Sequence, residues 1–315
     1  MEKRRSLQGY LLVFMSGVLW GLGGYLVTQM SNMGVSSLMT AFTGHFLVLL
    51  PLLIYILIKK GWRGLKISKK GLLLSIILGA LTKGIFKLSN DTAITMVGVA
   101  TASILMYLAP VFTAIMSMLI FKEKLRGYQH FAVFLNLVGC ILMVTGGNFA
   151  NLNISGLGLT LGALAGFLYA LNTILGKLAT AGDDSETMTF YMLLFSAISM
   201  SMFAKPWQHV ELFTNSKFLF WAILNSVVTG LLANLLYLRG LSLNIDASKA
   251  TIIASSEVVV ATLSGVLLLN EKINSVGTFG IGIMLISIVL MNITFPIKQK
   301  DINKSETVSS IEANQ

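Results

Sequence analysis

The chain has 315 residues, of which 55% are hydrophobic and only 11% charged, and its mean hydropathy is +0.80. A soluble domain carries roughly 25% charged residues, so these charges are too sparse to coat a globule, and lipid is the expected solvent. The net charge of +10 does not point to nucleic acid, because the basic residues sit in short segments between apolar runs instead of gathering on one face. The single cysteine, Cys140, excludes an intrachain disulfide; its place inside an apolar run reads as a small buried filler.

Taken in order, ten apolar runs succeed one another. The first opens after a basic head, Lys3-Arg4-Arg5. It is too long for a signal-peptide core and has no small-residue cleavage site after it, so it reads as a membrane span. The expected spans are 9–29, 36–58, 72–90, 97–121, 127–147, 156–178, 186–204, 217–238, 248–269 and 275–296. Each is roughly the 20 residues that a helix needs to cross a bilayer, and helix is required because lipid offers the backbone no hydrogen-bond partner. The third is the least hydrophobic, since it holds Lys83 and Lys87, and the seventh is short and rich in Met and Ser. The polar tail 297–315 is expected to be disordered and cytoplasmic.

The fourth and ninth runs are copies. A shift of 148 positions lays Ala102 on Ala250, Ile104 on Ile252, Val111 on Val259 and Leu119 on Leu267, and both copies end in the same pair, Glu123-Lys124 and Glu271-Lys272. A repeat of this length holds five spans, which is the scale at which membrane carriers duplicate. With the N-terminus placed inside, 18 of the 23 lysines and arginines fall on inner segments, and only Lys205, Lys217 and Lys272 fall on outer loops. That asymmetry predicts both termini in the cytoplasm. Five is odd, so the second copy enters the membrane the other way up. The expected fold class is therefore an all-α integral membrane protein of ten transmembrane helices, built as two inverted five-helix repeats over 9–147 and 156–296.

These features resemble the drug/metabolite transporter superfamily, in its EamA-type ten-helix form. The resemblance rests on YLAPVFTAIMSMLIFKEKL (Tyr107–Leu125) and SSEVVVATLSGVLLLNEKI (Ser255–Ile273), with GVLWGLGGYLV (Gly17–Val27) and GFLYALNTILGKL (Gly166–Leu178) opening the two halves. It covers about residues 9–295 and is specific for architecture but not for substrate. It implies a cavity lined by the first four helices of each half, with the fifth and tenth peripheral, and it places Trp20, Tyr107, Tyr169, Asn172 and Asn234 in helices around that cavity. Two departures stand out: Val258 occupies the place that Pro110 holds in the first half, and His45 stands where many relatives carry an arginine.

Ionisable groups at membrane depth are costly and need a reason. Lys83 lies about 16 Å in from its helix end and Glu257 about 14 Å, by helical rise, and His45 falls near the same level. Two readings stand side by side: Lys83 and Glu257 neutralise each other as a structural ion pair, or Lys83, with Lys87, receives an anionic group of the substrate. Lys87 alternatively snorkels to the interface, and Asp91 is expected at a solvated helix end. Glu257 and His45 are the candidate proton carriers, although a lone intramembrane His is more often simply hydrogen-bonded. Aromatic Trp20, Tyr107 and Tyr169 could stack on substrate or hold a cation, against ordinary packing. Pro110 is expected to kink the fourth helix in mid-span, and Gly17, Gly21, Gly158, Gly162 and Gly166 to permit close helix contact.

An enzyme is not expected, since neither HExxH nor GxSxG occurs and the three histidines are scattered. No filter loop suggests a channel, and no P-loop suggests nucleotide-driven pumping. The expected function is a secondary transporter for a small metabolite, such as an amino acid or related zwitterion or anion, working by alternating access with a proton or other gradient. The alternative is a broad exporter of drugs or quaternary amines. The expected partners are a small-molecule substrate and the lipid bilayer, with no nucleic acid, no cofactor and no metal, as a monomer or homodimer in a bacterial plasma membrane.

Overall fold

A computed structural model describes residues 2–149, 155–269 and 273–292. The tail 297–315 and the second Glu-Lys pair, Glu271-Lys272, lie outside the described residues. Among the described residues the protein is all helical. Nine helices among the described residues are long and apolar enough to cross a membrane: α1 (Arg4–Ser31), α2 (Ser37–Leu65), α3 (Lys69–Gly98), α4 (Thr101–Phe121), α5 (Gly127–Thr145), α6 (Gly156–Thr180), α7 (Ser185–Ala204), α8 (Ser216–Leu241) and α9 (Ala247–Leu269). A shorter apolar helix, α10 (Ser275–Met291), completes the set of ten.

Where the structure differs from expectation, the cause is local. The third helix runs on to Gly98, not to residue 90, so Asp91 lies within it and pairs with Lys87 one turn back, Nζ to Oδ1 2.7 Å. The turn into α4 falls at Gly98, whose φ of 82° suits glycine and strains any L side chain. The fourth helix is broken at Tyr107 and Leu108, and Pro110 sits in the first turn of the next segment, Ala109–Phe121. A proline is tolerated there because the first amides of a helix have no intrahelical acceptor. The ninth helix breaks at Ser255, between Ala247–Ala254 and Ser256–Leu269. That is the position equivalent to Tyr107, and Val258 in place of a proline does not abolish the break.

The repeat is visible in other places that the sequence conceals. Wide π-turns interrupt α3 at Ala80–Ile85 and α8 at Ser226–Leu232, at overlapping positions of the two copies. Such turns add a residue to the helix and re-aim the turns beyond it. Ala102 and Ala250 are both fully buried, whereas Leu119 and Leu267 are 76% and 73% exposed on the lipid side.

Small residues set the crossings. A side-chain carbon added at Gly280 of α10 would lie 2.5 Å from the Met143 amide nitrogen and 2.6 Å from the Gly139 carbonyl of α5. Gly17 and Gly21 of α1 meet the backbone of α9 at Ala254 and Glu257, and Gly166 of α6 meets that of α4 at Leu105 and Met106. These approaches let backbones pack where lipid supplies no hydrophobic drive between helices. The result is two mixed groups: α1 packs with α8 and α9, and α3 and α4 pack with α6 and, through α3, with α7; α2 bridges the two, lying against α7 and α8, while α5 and α10 pack on each other.

Candidate functional site

The charged residues of the apolar runs turn inward between the two groups. A cavity of about 160 Å³ is lined by Trp20 of α1, Thr82, Lys83 and Phe86 of α3, Met106 of α4, Tyr169 and Asn172 of α6, and Glu257 of α9. A second chamber of about 270 Å³ adjoins it and shares Trp20 and Glu257. Its other walls include His45 and Thr40 of α2, Lys87 of α3, and Asn225 and Thr229 of α8. The second chamber runs along α1 from Trp20 to Val27 and reaches Ser37 at the start of α2. It therefore extends toward the end of the bundle opposite the N-terminus.

Helix breaks place the key groups. Lys83 lies in the π-turn of α3, and Glu257 occupies the first turn of the second segment of α9. There the partial positive charge of a helix N-terminus favours a carboxylate. Glu257 Oε2 accepts a hydrogen bond from the Tyr169 hydroxyl at 2.7 Å. The Lys83 ammonium lies 5.0 Å from the centre of the Trp20 ring, within range of a cation–π attraction. Trp20 in turn leans on Tyr237 with ring centres 5.1 Å apart. Among the described residues no ion pair joins Lys83 to Glu257. They share one cavity, and each has a different nearest partner: Trp20 for Lys83 and Tyr169 for Glu257.

Of the residues singled out from sequence, Lys83, Glu257, Trp20, Tyr169 and Asn172 line the first cavity, and Lys87 and His45 line the second. Trp20 and Tyr169 hold equivalent places in the two copies of the opening motif. Asn172 accepts a hydrogen bond from Thr82 at 3.1 Å. His45 Nδ1 lies 2.8 Å from the Ser196 hydroxyl. Lys87 is paired with Asp91 one turn further on and lines the second chamber. Two candidates fall outside both cavities. Tyr107 packs with Cys140, Val258, Val259 and Met284 toward α5 and α10. Asn234 is buried and donates to the carbonyls of Thr229 and Gly230 at 3.0 and 2.8 Å; it satisfies acceptors that the π-turn leaves open.

Sequence reasoning missed Thr82, Phe86 and Met106 in the first cavity, and Ser37, Thr40, Asn225 and Thr229 in the second. Asn225 alone carried a usable signal, as an amide deep in an apolar run.

The comparisons with known proteins agree with this architecture. Residues 7–145 and again 156–293 match the EamA-like transporter family. The chain belongs to the EamA-like transporter family. The double match is its internal repeat. Among its relatives, YicL of Salmonella typhimurium, described as an inner membrane transporter, is 28% identical over 91% of this chain and 95% of its own length. The transporter YwfM of Bacillus subtilis is 23% identical over 71% of this chain and 75% of its own. A crystal structure at 16% identity superposes with a TM-score of 0.70 over 90% of this chain and 96% of that one, and shows the same fold. The protein is a multi-pass membrane transporter.

Proposed function

We propose that this transporter is a secondary carrier for a small zwitterionic or anionic metabolite, working by alternating access and driven by a gradient. The observation that carries this reading is the first cavity. It presents a lysine from α3 and a carboxylate from α9, on opposite groups of helices, without a direct pair between them. A charge buried near mid-membrane is costly unless it is paired. A ligand with a carboxylate toward Lys83 and an ammonium toward Glu257 completes both groups at once, as an amino acid does. Trp20, Phe86 and Tyr169 supply apolar and π surface to the remainder of the ligand.

Glu257 is the natural site of proton coupling, since it borders both chambers. A proton on its carboxylate and a substrate ammonium beside it are alternatives, and that exclusion is the simplest form of exchange. His45, in the second chamber, is the second proton carrier of this reading. The basic asymmetry of the loops supports placing both termini in the cytoplasm, and a monomer or homodimer is consistent with a site built within one chain.

The test is transport into proteoliposomes of a panel of amino acids, organic acids and quaternary amines, with and without a proton gradient. Zwitterions or organic anions should move. Movement of quaternary amines alone would reject this reading in favour of a drug exporter.

A further inference from the structure

One residue of the repeated Glu-Lys ending is tied to an unexpected set of partners. Glu123 stands just past the end of α4, after Lys122, whose left-handed backbone closes the helix. Its Oε1 accepts from Lys177 Nζ of α6 at 2.8 Å and from the Ala247 amide of α9 at 2.8 Å. Its Oε2 accepts from the Ser248 hydroxyl at 2.9 Å and the Ser248 amide at 3.3 Å. The carboxylate is 9% exposed and the lysine 12%, and on its outer side Glu123 borders a polar pocket of about 220 Å³ with Asp246, Ser248 and Lys249. The charged cluster joins the α3/α4/α6/α7 group to the first turn of α9 in the other group.

Behind it lies a second closed layer. The Thr251 hydroxyl is 3.1 Å from those of Thr113 and Thr173, and Thr173 is 2.5 Å from the Tyr237 hydroxyl. All four are buried. Tyr237 then supports Trp20 at the wall of the first cavity. From the end that carries the N-terminus, the path to Lys83 and Glu257 is thus shut by Glu123 and then by the threonine layer. At the other end the second chamber runs along α1 away from the site.

We propose that Glu123 is the latch of the gate at the N-terminal end of the bundle. The carboxylate caps α9 and neutralises Lys177 only while the two groups are closed there. Opening that end requires α9 to leave Glu123, so the strength of this cluster sets how often the site faces that side. Glu123 touches no substrate; it is a positioning residue for the transport cycle. The inference rests on the alternating-access reading but not on the choice of substrate.

The test is cysteine accessibility in membrane vesicles of each orientation, on a Cys140→Ala background. One probe is Thr173→Cys in the closed layer, labelled from the N-terminal side. The other is Ala41→Cys in the second chamber, labelled from the opposite side. Glu123→Gln leaves Lys177 without its counter-charge and should speed labelling at Thr173→Cys at least tenfold while slowing it at Ala41→Cys. General loosening would speed both, and that result, or no change at either, would overturn the latch. Lys177→Met, which keeps the cap on α9, should shift both rates in the same directions by less, and it serves if Glu123→Gln does not fold. A parent protein labelled at both probes, with the variants unchanged, would reject the latch alone. A parent never labelled at Thr173→Cys, even on long exposure, would reject alternating access itself.

Discussion

Replacing Tyr169 by phenylalanine removes one atom from the candidate site and leaves its shape. The lost hydroxyl donates to Glu257 Oε2 at 2.7 Å, while the ring, 5.9 Å from that of Phe86, can stay in place. A hydrogen bond to a charged group contributes about 1.5–3 kcal/mol. If Glu257 must be both ionised and aimed to receive the substrate ammonium, most of that energy appears as lost affinity. About 2 kcal/mol corresponds to roughly 30-fold in Kd. The assay is equilibrium binding of the substrate found in the proteoliposome panel to purified Tyr169→Phe and parent protein, with thermal unfolding as a control for the fold. Unchanged affinity in a folded variant would refute the claim that Tyr169 holds Glu257 for substrate.

Three further outcomes are expected. A cysteine at Gln208, in the exposed segment between α7 and α8, should react with an impermeant maleimide added outside intact cells, and one at Lys66 should not; the reverse would refute cytoplasmic termini. Gly280→Val should lower thermal stability, because its new side chain meets the α5 backbone at 2.5 Å and separating the helices costs about 1–3 kcal/mol; an unchanged melting temperature would contradict the close crossing of α5 and α10. Gly98→Ala should be destabilised by about 1–2 kcal/mol, since φ of 82° is unfavourable for an L residue, whereas Gly282→Ala, with open space around its added carbon, should have little effect in the same unfolding measurement.

The number of helices and the internal repeat were legible because they depend on run length and on the 148-residue offset, both of which survive without three-dimensional information. The inward-turned charges were legible for a related reason: cost forbids Lys83 and Glu257 from facing lipid. What they bind was not. Nothing in the sequence shows that α3 widens into a π-turn at Lys83, or that α9 restarts at Ser256 and presents a helix N-terminus to Glu257. The break in α4 was anticipated through Pro110, but its twin at Ser255 has no proline to announce it. Asn234 and Tyr107 were misplaced because helix membership says which element holds a residue, not which face of it. Asp91 was misplaced at a helix end, because the apolar run ends before the helix does. The partners of Glu123 come from α6 and α9, between 54 and 125 positions away, and only the folded chain reveals them.

In the proposed function, Lys83 and Glu257 are opposite poles of one substrate site and not a structural pair. Uptake of the panel substrate into proteoliposomes should be measured for the parent, Lys83→Ala, Glu257→Gln and the double variant, all confirmed as folded. Each single variant should lose more than tenfold in uptake, and the double variant should recover none of it. If the two residues served only to neutralise each other, removing both would restore what removing one had cost. Recovery in the double variant, or full uptake by Lys83→Ala, would show that the two residues do not form a substrate site.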